Sequence, residues 1–320
     1  MADAMLVAAI TILCIMVATW LLSLVLKNAS IVDIVWGLGF AITSWVLALT
    51  IDGDSNRQIL LAVMVGTWGL RLGGYLAKRN IGHGEDWRYK AMRKKKGARF
   101  GLISLVTVFG LQGVLMWVVS LPVMFGNSDA TPGVGPLAVI GVMVWSVGLS
   151  FEAVGDWQLV QFKKDANNAG KVMQTGLWSL TRHPNYFGDA LLWWGIGIVG
   201  AETGIGVIGF IGPVVMTVFL LRVSGVPMLE RSLMKRREGY AEYAARTSAF
   251  IPRRPKRIYS ANLNCGECLM DVINEVVGIF KANGESQQTS GDTERFKLTL
   301  LESYVCTCCG MTHQSLWTTE

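Results

Sequence analysis

Long apolar runs alternate along the chain with short polar or basic connections, and seven runs stand out, at residues 5–26, 31–51, 59–77, 100–125, 136–161, 186–201 and 204–221. Most reach the roughly 17 to 25 residues that a helix needs to cross the hydrocarbon core of a bilayer. The sixth is short. It becomes acceptable if the polar Asn185 and Asp189 lie in a cavity and the helix is surrounded by protein, since backbone and polar groups at membrane depth are tolerated only there. The pattern predicts an all-α fold, a polytopic membrane bundle of about seven transmembrane helices. The first run has no basic leader before it and continues for a full span, so it is expected to be a retained helix and not a signal peptide.

The connections set an orientation. Residues 78–99 carry nine Lys or Arg, and 163–182 and the segment after Arg222 are also basic, whereas 52–57, 126–135 and 200–203 together hold one basic residue, Arg57. For seven spans this alternation places the N-terminus outside and the C-terminus in the cytosol. The conspicuous polar motifs then all face the cytosol.

Composition strengthens the membrane reading. The 320 residues are 52% hydrophobic and 16% charged, with a mean hydropathy of +0.41; soluble domains carry nearer one quarter charged residues. The formal charge of +6 is unevenly spread: residues 1–252 hold 22 basic and 15 acidic groups, and the remaining 68 come to −1. The excess belongs to membrane loops, where it needs no nucleic-acid partner. Glycines recur at close-packing intervals (Gly66, Gly69, Gly73; Gly195, Gly197, Gly200, Gly204), which lets helix backbones approach one another. After residue 252 the chain turns polar, so 1–252 is read as the membrane domain and 253–320 as a cytosolic tail. Five of the six cysteines lie in that tail; the pairs Cys265 and Cys268, and Cys306 and Cys309, could supply four thiolates to Zn²⁺ or remain reduced thiols.

Two stretches carry candidate chemistry. In GLWSLTRHPNYFGD, residues 176–189, Pro184 pushes His183 out of the helical region and a helix is expected to begin just after it, with Asn185 and Asp189 one turn apart on one face. In SFEAVGDWQLVQFKKD, Glu152 and Asp156 also stand four apart, with Lys163 two turns on. Carboxylates inside an apolar helix are costly and ordinarily face a bundle interior or a watery cavity. Further on, MLERSLMKRREGYAEYAARTSAFIP combines Glu230, Arg231 and Arg237 with Tyr240 and Tyr243, in a pattern that fits a cytosolic helix lying on the membrane and ending at Gly239. No glycine-rich dinucleotide fingerprint is present in the required strand and helix context.

RHPNYFGD with its flanking GLW and LLWWG, together with SIVDIVWGLGF, LRLGGYLAKRNIGHGEDWRY and SGVPMLERSLMKRREGYAEYAARTSAFIP, resembles a family of multispanning membrane proteins with a steroid 5-alpha-reductase-like C-terminal domain, of the DUF1295 type. The wider superfamily also holds isoprenylcysteine carboxyl methyltransferases, which carry a similar RHP motif. The resemblance implies an integral membrane enzyme, in the endoplasmic reticulum or a bacterial inner membrane, that uses NADPH to reduce a double bond in a lipophilic, steroid- or lipid-like substrate. Its alternatives are a methyltransferase using S-adenosylmethionine on a membrane-embedded acceptor and a non-catalytic lipid-binding protein. By the same resemblance Glu152, Asp156, Lys163, Asn185, Tyr186 and Asp189 would contact the cofactor, Arg182 and His183 its phosphates or ring, and Glu230 would close over it. Asp33 or Arg71 would polarise the substrate carbonyl. Where the reductases have a proton-donating Tyr this chain has Trp68, and an indole cannot supply that proton.

Overall fold

The computed structural model describes residues 1–131, 134–223 and 225–256, and the backbone of 303–305 and 312–314. It divides into a unit Met1–Pro255 and a unit Lys256–Glu320. The first is helical throughout. In the second, Ser303–Val305 pairs antiparallel with Thr312–Gln314; Cys265, Cys268, Cys306 and Cys309 lie outside the described residues.

Three long helices open the chain, α1 (Ala2–Leu26), α2 (Ile31–Thr50) and α3 (Ser55–Asn80). The short basic helix α4 (Trp87–Lys96) leads through one turn into α5 (Phe100–Ser104), a π-helical turn Leu105–Gly110 and α6 (Leu111–Val119), so this part is helical well before the apolar run begins. Pro122 starts a separate helix, α7 (Leu121–Asn127), and breaks the stretch that hydrophobicity alone joins as 100–125. Then come α8 (Pro136–Lys164), the single turn α9 (Leu177–Leu180) and α10 (Pro184–Gly200). A 3₁₀ segment Gly204–Phe210, α11 (Ile211–Val218) and a π turn Phe219–Val223 lead to α12 (Val226–Arg236) and α13 (Tyr240–Arg246).

Among the described residues, six helical runs are long and apolar enough to cross a membrane: α1, α2, α3, Trp87–Val119, α8 and Gly204–Arg236. The stretch read as a short sixth span is α10, a helix of 17 residues. Its inner face is closed off, with Leu192, Trp193, Ile196 and Val199 fully buried. On the outer helices apolar side chains face outward instead, Val25, Leu49, Leu102 and Val106 being 72 to 79% exposed. Patches of that kind suit lipid and not water. On α1 the side turned inward is a ladder of small residues and methionine, Ala4, Ala8, Ile12 and Met16, spaced one turn apart.

Glycines set how closely the inner helices approach. A Cβ on Gly69 would overlap the backbone of Gly37, so α2 and α3 touch main chain to main chain. The seam between α8 and α10 is longer. Gly195 lies against Gly141 and Trp145, and a Cβ added to Gly188 would come within 2.5 Å of the Gly148 carbonyl oxygen and the Glu152 amide nitrogen. Those distances leave no room for a methyl group, and small residues of this kind are how helices associate where no hydrophobic effect drives them together. Gly188→Ala is therefore expected to force α8 and α10 apart at a cost of about 1–3 kcal/mol, seen as a lower melting temperature in detergent. An unchanged melting temperature would refute the seam.

Candidate functional site

The glycine seam sets Asn185 and Asp189 of α10 beside Glu152 and Asp156 of α8, and α3 supplies the cation between them. Glu152 and Asp156 are 3% and 4% exposed. Arg71 Nη1 pairs with Glu152 Oε1 at 2.6 Å, while Nη2 reaches the Asp156 carboxylate and donates to the Glu152 carbonyl oxygen at 3.2 Å. Asn185 Nδ2 donates to Asp156 Oδ1 at 3.3 Å, and Asn185 Oδ1 accepts from the Tyr186 amide at 3.0 Å. One guanidinium thus joins two carboxylates on one face of α8. Glu152 Oε2 and Asp189 Oδ1 are shielded from solvent and have no hydrogen-bond partner among the described residues. The indole of Trp68 stands close to Asp189, yet its N–H is likewise unpartnered. Buried acceptors without donors are rare in proteins.

The bend before α10 forms a roof. His183, with ψ of 62°, precedes Pro184 at the first position of α10, as the sequence requires. Arg182 is held by three groups: its Nε donates to Glu230 Oε1 at 2.6 Å, and its Nη1 donates to the carbonyl oxygens of Ala244 at 2.8 Å and Thr247 at 2.5 Å. His183 Nε2 meets the same Glu230 oxygen at 3.1 Å. Its ring is 1% exposed, stacks on Tyr186 with 10° between planes and 5.3 Å between centroids, and leaves Nδ1 unpartnered. Tyr243 donates to the Trp178 carbonyl oxygen at 2.5 Å, and the Trp178 indole donates to the Gly155 carbonyl oxygen on α8 at 3.0 Å. Burial pushes the neighbouring Tyr240 phenol up to about 12, which keeps it neutral. So Arg182 and Glu230 tie α12 and α13 down over the motif, and most of the Arg182 donors are already used by protein.

Not every candidate joins this cluster. Asp33 sits in the first turn of α2, where Arg88 Nη2 and the Tyr89 hydroxyl each donate to one of its carboxylate oxygens at 2.7 Å. It belongs to a latch between α2 and α4, separate from Arg71. Burial opposes the charge of nearby Glu85, but paired hydrogen bonds from Arg93 and one from the Ala29 amide outweigh that and hold its carboxyl below the usual range. Lys163 is exposed near the end of α8 and lies within electrostatic range of Asp156, Arg79 and Arg237. Arg79 and Arg237 form no ion pair among the described residues. Arg79, Tyr75 and Trp178 are site neighbours that sequence reasoning passed over; Arg79 and Tyr75 could have been found by continuing the Trp68 and Arg71 face along α3 at helical spacing.

Removing Arg71 leaves two buried carboxylates without a counter-ion, which costs about 3–5 kcal/mol when one partner of a buried pair is deleted. Arg71→Met should accordingly lower the melting temperature strongly, and adding Glu152→Gln and Asp156→Asn to it should recover much of the loss. If the triple variant is no more stable than Arg71→Met, the charge clasp is not what holds α3 to α8.

A probable O-methyltransferase, ustE, from Ustilaginoidea virens is 39% identical over 70 residues, 22% of this chain and 24% of that protein. The matched region thus spans about a quarter of the relative's length. No solved structure matches the chain. The family described as "Protein of unknown function (DUF1295)" matches residues 19–247, and with most of the membrane unit covered the chain belongs to that family.

Proposed function

We propose that the protein is an integral membrane NAD(P)H-dependent reductase of a double bond in a lipophilic substrate. The observation that carries this reading is an acidic floor beneath a cationic rim. Glu152 Oε2 and Asp189 Oδ1 offer unsatisfied acceptors at the floor, suited to the hydroxyls of a ribose or the N–H groups of a carboxamide. Lys163 lies within electrostatic range of Arg79, Arg237 and Asp156, and cations that form no ion pair among the described residues suit phosphates. A nucleotide with phosphates at one end and polar, uncharged donors at the other would use both. The cofactor would supply the hydride.

The chain's own groups would do the rest. Asn185 and Asp189 would hold the polar head of the cofactor, and the Arg71 clasp would keep their neighbours rigid. The Arg182, His183 and Glu230 roof would exclude water. Tyr186, whose phenol interacts electrostatically with both Asp189 and Asp156, is the proposed proton source in place of the indole of Trp68.

A second reading, transfer of a methyl group from S-adenosylmethionine, draws support from the similarity to the probable O-methyltransferase of Ustilaginoidea virens and from the acidic floor, which would also suit an ammonium or sulfonium. It leaves the cationic rim without a role.

Purified protein in detergent should gain thermal stability with NADPH, and S-adenosylmethionine should not displace it. No shift at millimolar NADPH would sink the reductase reading, and a shift with S-adenosylmethionine alone would establish the second. Asp189→Asn should abolish turnover and weaken NADPH binding by about 1–3 kcal/mol, the range for a lost charged hydrogen bond. The Trp68 indole is the donor close to Asp189, and an amide oxygen can still accept from it, so the melting temperature without cofactor should not fall. Unchanged affinity in the folded variant would remove Asp189 from the site.

A further inference from the structure

A second built cleft lies outside this cluster, at the end of the bundle where the basic loops are. It has a volume of about 330 Å³ and is enclosed by the α1–α2 turn on one side and the segment after α3 on the other. Its walls are of two kinds. Ile31, Ile34 and Ile81 make an apolar side, and Asn28, Asn80 and the backbone of Gly82 and Gly84 make a polar side.

The cleft is held open by specific bonds. The Ala29 amide donates to Glu85 Oε1 at 2.8 Å, the Asp86 amide to the Ser30 hydroxyl at 3.2 Å, and Arg93 grips Glu85 through two nitrogens at 2.8 and 3.0 Å. Arg88 pairs with both Asp86 and Asp33. These contacts pin the loop back over the α1–α2 turn, and Gly82 and Gly84 make the required bends with φ of 86° and 76°, a region closed to most side chains.

The electrostatics of the polar side are those of an anion site. Glu85 and Asp86, the acids nearest the cleft, are already neutralised by Arg93 and Arg88. The Lys90 ammonium stands 3.9 Å from where a Cβ on Gly84 would be, and it forms no ion pair among the described residues. The amide N–H groups of Gly82 and Gly84 make no hydrogen bond among the described residues. Asn28 and Asn80 use their carbonyl oxygens internally, toward Ser30 and Arg79, so that their NH₂ donors are what they can offer a ligand. Donors gathered in a turn beside a cation form an anion-binding concavity. The apolar flank continues outward through Leu26, Val25 and Ile81, which are 54%, 78% and 70% exposed, toward the surface that faces lipid.

We propose that this cleft binds an anionic phospholipid, its phosphate on Lys90 and the Gly82 and Gly84 amides and the start of an acyl chain along Ile31 and Ile34. Charge complementarity selects the occupant. The site is a cation with neutral donors, set where a headgroup meets the hydrocarbon edge, and juxtamembrane basic groups attract acidic lipid in this way. It does not depend on which cofactor the buried cluster takes.

The test uses the full chain in detergent, without cofactor, titrated separately with dioleoyl phosphatidic acid, dioleoyl phosphatidylcholine and inorganic phosphate. Melting temperature and bound mass by native mass spectrometry are the readouts. Phosphatidic acid should bind at about one per chain and raise the melting temperature, and Lys90→Gln should weaken it about tenfold, as a lost charge-assisted bond would. Lys95→Gln, which removes the same charge from a different face of α4, should bind as the parent does, and Ile31→Trp should fill the cleft and block binding. Equal loss in the Lys90 and Lys95 variants would reduce the effect to general surface charge and overturn the site. So would equal stabilisation by phosphatidylcholine, the same shift with inorganic phosphate, or undiminished binding to a folded Ile31→Trp protein.

Discussion

Carboxylates buried between apolar helices impose the constraint on which the rest of the polar half depends. Glu152, Asp156 and Asp189 lie close together among apolar helices, with one guanidinium among them. Taking such charges out of water costs several kcal/mol for each ion unless pairing and hydrogen bonds offset it. Arg71 offsets two. Asn185 adds a donor to Asp156, and the N-terminus of α10, which begins at Pro184, presents its positive end to the same cluster. All of this requires α10 to lie against α8 at backbone distance, and only the glycines at 141, 148, 188 and 195 permit that. The packing seam and the polar site are one arrangement: widen the first and the second loses its compensation.

The roof extends the same logic toward the surface. Glu230 accepts from both Arg182 and His183, and the carbonyl oxygens that hold Arg182 belong to the end of α13 and the residue that follows it. Tyr243 and Trp178 then carry the connection to Gly155 on α8. The α12–α13 segment is therefore fastened at several points to the two helices that bear the carboxylates. This also redefines Arg182. A guanidinium with most of its donors on protein oxygens positions its neighbours, and Arg79, Lys163 and Arg237, which form no ion pair among the described residues, are the cations left for the proposed phosphate contact.

Much of this was legible along the chain because hydrophobic length and proline are local signals. The ends of α1, α2 and α8 fall within a few residues of the apolar runs, and Pro184 marks the start of α10. What hydropathy hides is a helix whose first turns are charged. The run from Trp87 carries Arg88, Lys90 and Arg93 before any apolar residue repeats, so its beginning is invisible to an apolar count, and the break at Pro122 is masked by the apolar residues around it. The carboxylates could be recognised as costly to bury and so as candidates. Their partner could not, because Arg71 lies 81 residues before Glu152 and nothing in spacing links them. By family resemblance Asp33 would polarise a substrate carbonyl, but folding gives both its oxygens to Arg88 and Tyr89.

Why the buried cluster should be a site and not only a brace follows from what remains unpaired in it. A brace would be expected to close its hydrogen bonds, as Arg57 does at the opposite end of the bundle, where its guanidinium donates to the carbonyl oxygens of Gly126, Asp129 and Thr131. The Arg71 cluster is built with the same economy on one side only. Arg71 meets Glu152 and Asp156, whereas Glu152 Oε2, Asp189 Oδ1 and the nearby Trp68 indole are left shielded and without a hydrogen bond among the described residues. Each such group carries a penalty of about 1–3 kcal/mol, and several close together would be hard to retain in a purely structural core. Acceptors and donors in this set are mixed, so the missing partner must both give and take hydrogen bonds. A ribose or a carboxamide does both, and a nucleotide-bearing cofactor is proposed for the cluster on that ground.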